Sequence, residues 1–176
     1  MNNNKTLLYT RTAMLGACAL VLSVLESFLP QLIPFLPGAR SGLSNIVIML
    51  AIQTLGAVPA FYICIIKALF AGVTRGAFAM VMSLAGGLVS TAVMCLLILP
   101  KKSPFGCLGI GVSGALSHNM SQLFVSSLIA GSAVYSYTAP LLIISLVTGS
   151  ITGTAMSFLT PPLRRVFSKH HNKNYE

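Results

Sequence analysis

The chain has 176 residues, of which 55% are hydrophobic and 7% are charged, and its formal net charge is +9. A soluble domain carries about 25% charged residues because its surface must meet water, so this composition excludes an ordinary soluble protein. Long apolar runs, without the two-residue alternation of barrel strands, predict an all-α integral membrane protein with one domain over 1–176.

Six apolar runs predict six membrane helices. A proline-rich link, 30–37, separates the first two runs, Gly56 and Pro59 interrupt the next, and Pro100 ends the fourth. The second and third runs are shorter than the roughly 20 residues of a straight span. They are either short helices packed inside the protein or spans whose ends lie farther out. The predicted helices are 12–29, 43–55, 59–73, 78–99, 107–130 and 140–159, with a basic tail over 163–176.

Positive residues cluster near both ends of the chain and at Lys101 and Lys102. Cytoplasmic flanks of membrane proteins are enriched in lysine and arginine, so both termini and this loop are expected to be cytoplasmic. Four spans before the loop and two after it satisfy that condition. The predicted location is the cytoplasmic membrane of a bacterium, crossed several times and surrounded by lipid. No nucleic-acid partner is expected, because that would need a basic face on a soluble fold.

Four charges lie within or beside the first four apolar runs: Glu26, Arg40, Lys67 and Arg75. Each ionisable group costs about 2.5–3.5 kcal/mol at the centre of a membrane helix, so these side chains are expected to face a protein interior or a watery cavity. In the predicted topology Lys67 lies deepest, and its role is left open. Glu26 either pairs with Arg40 or Arg75, or binds a proton or cation.

A polar loop precedes the second helix. Glycines flank Arg40, and Ser44 and Asn45 fall near the helix start, where free backbone N–H groups favour an anion. This segment is either a ligand site or gate, or an interfacial loop whose arginine reaches the lipid headgroups.

A second polar cluster lies within the fifth run. His118 and Gln122 are four residues apart and therefore share a helix face. They line a pocket or form hydrogen bonds between helices. No metal site is expected, since neither a carboxylate nor a second histidine lies nearby in sequence. Gly149 and Gly153, also four apart, allow a neighbouring helix to approach closely.

The signals for catalysis are weak. The sequence has two acidic residues, Glu26 and Glu176, whereas metal-dependent diphosphate chemistry needs clustered carboxylates. We therefore expect no enzymatic activity of the chain alone and no cofactor.

Three motifs together resemble a known bacterial family. They are Pro37-Gly38-x-x-x-Gly42-Leu43-x-Asn45-Ile46, Ser83-Leu84-x-Gly86-Gly87-x-x-Ser90 and Ser113-Gly114-Ala115-x-x-His118-Asn119-x-x-Gln122, with Glu26 ahead of them. The set resembles the Gx transporter family, also labelled heptaprenyl diphosphate synthase component I. That family is similar to the S components of energy-coupling factor (ECF) vitamin transporters. Arg40-Ser41 stands where the family usually has Lys-Leu, and Ser44 where it has Ala.

The resemblance implies a six-helix fold with an outward-opening pocket beneath the first loop. It also implies that Ala13 and Ala17 contact a coupling subunit. The expected function is uptake of a small, anionic molecule with a coupling and ATPase module. Arg40 and Asn45 would gate or bind the ligand, Glu26 would balance charge, and the pocket would be lined by His118, Asn119 and Gln122. The alternative is a membrane accessory of a quinone or flavin electron-transfer system, with electron-transfer proteins as partners, or of a polyprenyl diphosphate synthase.

Overall fold

The computed structural model describes residues 3–28, 42–98 and 105–172, without the side chains of 3, 4 and 163–172. The described parts form six α-helices and one short 3₁₀ helix, which confirms the predicted helical class and helix number. The helices are α1 (Asn3–Phe28), α2 (Asn45–Thr54), α3 (Ala57–Arg75), α4 (Ala77–Ile98), α5 (Cys107–Ala130) and α6 (Thr138–Asn172), with the 3₁₀ helix at Ser132–Tyr137.

Two predicted features fall outside the described residues. These are the segment that contains the proline-rich link 30–37 and Arg40, and the Lys101-Lys102 loop.

Four segments are long and apolar enough to cross a membrane, namely α1, α3, α4 and the segment Ser132–Pro162 that contains most of α6. With 19 residues, α3 extends beyond both predicted ends. By contrast, α2 has 10 residues and a length of about 15 Å at 1.5 Å per residue. Of the two possibilities for the short second run, the structure therefore favours a helix packed inside the protein.

The centre of the helix bundle is α2, which contacts all five of the other α-helices. Ile48, Met49 and Ala51 are fully buried and belong to the main hydrophobic core. A helix that is apolar on every side is expected where neighbours surround it. Its position explains why the shortest apolar run is among the most completely buried.

The first and last helices exceed their predicted ranges. The polar N-terminal turns of α1 remain helical, and the hydroxyl of Thr10 bonds back to the carbonyl of Thr6 at 3.0 Å. The predicted end of the last helix at 159 is wrong, because α6 continues through Pro161 and Pro162. Proline has a φ compatible with a helix, but each ring removes one N–H donor. Both prolines are exposed at the end of the packed region, where few neighbours constrain the backbone.

The expected close approach of small residues is confirmed between α5 and α6. A Cβ built on Gly111 would lie 2.6 Å from the carbonyl oxygen of Gly149, and one on Gly149 would lie 2.5 Å from the Cα of Val112. A Cβ on Gly153 would collide with Leu108. The two backbones are thus in direct contact, which only glycine at these positions permits.

The helices alternate in direction across the bundle. At its start, α2 is hydrogen-bonded to Glu26, which lies near the end of α1. Near its other end, Oε1 of Gln53 accepts the hydroxyl of Thr160 of α6 at 2.9 Å. The amide of Gln53 also faces Cys107 at the start of α5. The C-terminal ends of α1 and α3 therefore meet the N-terminal ends of α2 and α4 at one end of the bundle.

Candidate functional site

A polar pocket lies at this end of the bundle, between α1, α2, α3, α4 and α5. Four of its lining side chains are ionisable: Glu26, Lys67, Arg75 and His118. The rest of the lining consists of small or uncharged residues, namely Ser23, Gly42, Ser44, Ala79, Ser83 and Gln122. Three of the four charges singled out in the sequence thus converge on one place.

Glu26 is held by the start of α2. Its Oε1 accepts the backbone N–H of Ser44 at 3.0 Å, and its Oε2 accepts the hydroxyl of Ser44 at 3.3 Å. A carboxylate is favoured near a helix N-terminus because the aligned peptide dipoles leave a partial positive charge there. The first N–H groups of α2 are bonded to carbonyls of the preceding turn, and Glu26 contacts this end of the helix through Ser44.

Lys67 completes this hydrogen-bonded chain from α3. Its ammonium donates to the hydroxyl of Ser44 at 3.0 Å and to Oδ1 of Asn45 at 3.1 Å. The side chain is only 3% exposed. Buried charges need both an opposite charge and hydrogen bonds, and Lys67 has Glu26 beyond the shared Ser44. Lys67, whose role the sequence left open, thus connects α3 to the start of α2 through two hydrogen bonds.

These contacts give Glu26 a partner that the sequence did not suggest. The sequence suggested Arg40 or Arg75 as its partner, or else proton or cation binding. In the structure its carboxylate accepts two hydrogen bonds from Ser44, with Lys67 one hydrogen bond farther away. Arg75 lines the same pocket, and Arg40 lies outside the described residues.

Asn45, the first residue of α2, has an unused donor. Its Oδ1 accepts from Lys67, whereas its Nδ2 has no hydrogen-bond partner within the described ranges. The side chain is 3% exposed. An unpaired buried donor costs about 1–3 kcal/mol, so this amide is available to a ligand.

The imidazole of His118 is enclosed by two glycines. A Cβ built on Gly86 of α4 would lie 2.8 Å from Cε1, and one on Gly42 would lie 3.4 Å from Cδ2. Nε2 of the ring lies 3.1 Å from Nε2 of Gln122, one turn farther along α5. A side chain at Gly86 would occupy the space of the ring, whereas a Cβ at Gly42 would only touch it. The three sequence motifs therefore meet around His118.

Asn119 faces away from the pocket. Its Nδ2 donates to the hydroxyl of Ser145 on α6 at 2.7 Å, and it is not among the lining residues. Successive residues of a helix point about 100° apart, so Asn119 cannot share the face of His118 and Gln122. The expectation that it lines the pocket does not fit this placement.

Two residues that the sequence-based site omitted are central to the geometry. Ser44 connects Glu26 to Lys67, and Lys67 anchors Asn45. Lys67 could have been found from its position in the middle of an apolar run, because a charge is tolerated there only when it has a partner. The signal for Ser44 was weaker. It lies near a helix start, where serine is common, and it stands where the family usually has alanine.

The pocket is narrow. The free space between its lining side chains holds about one water molecule. Any larger ligand therefore requires movement of at least one lining element.

A comparison with protein families gives a match to heptaprenyl diphosphate synthase component I over residues 15–159. The chain belongs to this family. The matched range contains the whole polar pocket and the glycine contact between α5 and α6. Comparisons with curated proteins and with solved structures give no match.

In this heptaprenyl diphosphate synthase component I chain, Ala13 and Ala17 are exposed on α1. Within the described residues α1 packs only against α2 and α3. Met14 and Val21 on the same helix are 66% and 58% exposed. The helix therefore has an apolar, small-residue face that the other described residues do not cover.

Metal ligands are not clustered in the described part of this family member. There, no group of three or more histidine, cysteine, aspartate or glutamate side chains lies close enough to hold an ion. Cys64 and Cys95 are buried and Cys18 is exposed, and all are free thiols.

Proposed function

We propose that the chain is a membrane-embedded substrate-binding subunit of S-component type that takes up a small anionic molecule with a coupling and ATPase module. The observation that carries this proposal is the polar pocket itself. It combines two cationic side chains, Lys67 and Arg75, with one carboxylate, Glu26, inside a bundle of apolar helices. Excess positive charge in a desolvated site favours an anionic ligand.

The proposed location is the bacterial cytoplasmic membrane, crossed several times. Four segments meet the length and apolarity of a membrane span. The positive-inside rule then directs both termini and the Lys101-Lys102 loop to the cytoplasm. In that orientation the pocket opens toward the outside, as uptake requires.

Each residue of the proposed site, in the pocket or beside it, has a proposed role. Asn45, His118 and Gln122 hydrogen-bond the ligand, and Lys67 and Arg75 attract its charge. Glu26 balances the cations in the empty pocket. Arg40, in the loop directly before Gly42, gates the entrance. Asn119 is assigned a different role, positioning α5 against α6 through Ser145.

The proposed coupling surface is the exposed face of α1 that carries Ala13 and Ala17. Small residues on a lipid-exposed helix allow close approach of a second helix. The S-component resemblance assigns this face to the coupling subunit.

We further propose that the chain alone catalyses no reaction. Prenyl diphosphate chemistry uses Mg²⁺ held by several carboxylates. Among the pocket residues that the structure describes, Glu26 is the single acidic side chain.

The deciding experiment is mass spectrometry of small molecules retained by the protein purified in lipid nanodiscs, with identification of co-purified proteins. We expect an anionic small molecule in the wild type and its loss in an Asn45→Ala, His118→Ala double variant. A Ser136→Ala variant, outside the pocket, is the matched control. Equal retention by all three proteins would refute the site assignment.

A second candidate function follows from the family description, which names a component of a synthase. In this role the chain is a non-transporting membrane accessory of a polyprenyl diphosphate synthase, or of a quinone or flavin electron-transfer system. Co-purification with a prenyl-transferring or redox enzyme, instead of an ATPase, would favour it. A synthase subunit that is fully active without this chain would count against the synthase role.

A further inference from the structure

We propose that the carboxylate of Glu26 occupies an anion site at the start of α2, and that a soluble oxyanion displaces it when it binds. The oxyanion is a carboxylate or phosphate group of the ligand. This inference rests on the proposed function, because it names the ligand chemistry and the way in which the ligand enters.

The anion site consists of four donors: the backbone N–H and hydroxyl of Ser44, the ammonium of Lys67 and Nδ2 of Asn45. Glu26 accepts both Ser44 donors, at 3.0 and 3.3 Å. Lys67 bonds the same hydroxyl and Asn45. Together with the N-terminal partial charge of α2, these donors bind any oxyanion of suitable size. Glu26 is the anion that the chain itself provides.

Glu26 leaves the anion site incompletely filled. Nδ2 of Asn45 is buried, with no partner in the described part of the chain. A Cβ built on Gly42 would lie 3.0 Å from this nitrogen and 3.7 Å from Nε2 of His118. The free donor thus lies beside Gly42 and near His118, two residues that line the pocket. A ligand oxygen there would satisfy a group that Glu26 does not reach.

A ligand cannot enter beside Glu26 without rearrangement. The pocket holds about one water molecule, which is too little for a carboxylate or phosphate compound. Because α1 contacts only α2 and α3 within the described residues, its C-terminal end is the lining element with the fewest neighbours. Exchange of Glu26 for a ligand anion would release this end of α1.

This exchange gives a physical route from pocket to partner. The exposed Ala13 and Ala17 lie on the same continuous helix as Glu26. A helix moves largely as a rigid element, so release at one end changes the position of the other. Occupancy of the pocket is thereby transmitted to the proposed coupling surface.

The test compares phosphate binding by wild type and Glu26→Gln in phosphatidylcholine nanodiscs, measured by isothermal titration calorimetry with inorganic phosphate and with acetate. Removal of the competing charge is expected to lower the phosphate Kd by about tenfold. Glu176→Gln is the matched control, since it removes the other acidic residue of the chain and should bind as wild type does. Equal affinity of Glu26→Gln and wild type overturns the proposal.

A second measurement on wild type avoids dependence on the folding of the variant. Added phosphate should increase amide hydrogen exchange over 23–28, the end of α1 that Glu26 holds. Increased protection of 23–28 would mean that phosphate binds without displacing Glu26, and would overturn the proposal.

Further outcomes separate this inference from the proposed function. Failure of wild type and Glu26→Gln to bind phosphate or acetate overturns the inference, whereas a small molecule retained by the purified protein still supports the function. Nanodiscs containing phosphatidylglycerol test a lipid source. Loss of phosphate binding in those nanodiscs would assign the anion site to a lipid headgroup and refute a soluble ligand.

Discussion

At the scale of single residues, the pocket depends on buried charges that share hydrogen bonds. Lys67 and Glu26 are separated by the hydroxyl of Ser44, which accepts from the ammonium and donates to the carboxylate. The two buried charges are thereby coupled through Ser44. Removal of one takes compensating charge away from the other inside a desolvated site.

Replacement of Lys67 by methionine is expected to lower the free energy of unfolding by about 3 kcal/mol, since the buried carboxylate of Glu26 loses a compensating charge and Oδ1 of Asn45 loses its donor. The measurement is thermal denaturation of the purified protein in detergent. Lys5→Met is the control, because Lys5 is exposed on α1 and should leave the melting temperature unchanged. A Lys67→Met protein as stable as wild type would contradict the structural role of this bonded chain.

Substitution of Gly86 by alanine tests the position of the His118 imidazole. A Cβ at this residue would lie 2.8 Å from Cε1 of His118 and 2.9 Å from Nδ1, so Gly86→Ala must push the ring into the pocket. We expect a loss of about 1–3 kcal/mol in stability and weaker ligand retention, measured by thermal denaturation and mass spectrometry.

Gly16→Ala is the matched control for that variant, because no atom lies within 4 Å of its added Cβ. Alanine favours a helix over glycine, so the control should be as stable as wild type or slightly more stable. The same loss in both variants would show that helix backbone effects, and not the imidazole, are responsible.

At the scale of elements, two helices differ from their neighbours. The short α2 is surrounded, and its first residues present donors to the pocket while its last residues contact α5 and α6. The pair α5 and α6 is joined by direct backbone contact at glycines. Together these contacts fix α5, so that His118 and Gln122 are held on a rigid element.

The glycine contact between α5 and α6 predicts a selective effect of added methyl groups. Gly153→Ala would place its Cβ against Leu108, and separation of the helices is expected to cost about 1–3 kcal/mol. Gly109→Ala is the control, since its nearest atoms belong to the Phe105 side chain at 3.6 Å, an ordinary contact. Thermal denaturation should separate the two, and equal stability would mean that the helices can move apart freely.

At the scale of the whole molecule, the alternating helices bring the pocket to one end of the bundle. The 3₁₀ helix after α5 lies at the C-terminal end of that helix, whereas the Lys101-Lys102 loop precedes its N-terminal end. If α5 crosses the membrane, these two segments face opposite sides. The proposed uptake requires the 3₁₀ helix to be outside.

Cysteine labelling tests this orientation. In a background with the four native cysteines replaced by alanine, Ser136→Cys should react with a membrane-impermeant maleimide in intact spheroplasts. Lys102→Cys should react only after permeabilisation, because lysine-rich loops remain cytoplasmic. The reverse result would place the pocket at the cytoplasmic side and contradict uptake from outside.

Much of the fold was predictable because its signals are local. Apolar runs, prolines and lysine-rich flanks predicted six helices, and the structure has six. The predicted end at 159 was wrong, since exposed prolines at the edge of the packed region do not terminate α6. The close contact of α5 and α6 was also predictable, because glycines four residues apart leave a flat helix face.

The candidate site was predictable only in part. Helical spacing correctly grouped His118 with Gln122, and the same spacing separates Asn119 from them by about 100°. Spacing alone does not say which face meets the pocket. The partner of Glu26 could not be chosen from the sequence for a related reason. Arg40, Lys67 and Arg75 all lie in the same half of the chain, and the structure shows Ser44 between Glu26 and Lys67.

The sequence by itself determined the helical class and the number of helices, because composition and periodicity act over a few residues at a time, and its three motifs indicated the family. Only the tertiary structure decided that Glu26, Ser44 and Lys67 form one bonded chain around the start of α2. Those residues come from three helices, and the hydrogen bonds between them depend on how α2 is seated among its neighbours. Because these polar groups are buried in an apolar bundle, each hydrogen bond between them contributes to stability, and the loss of one leaves a buried group without a partner.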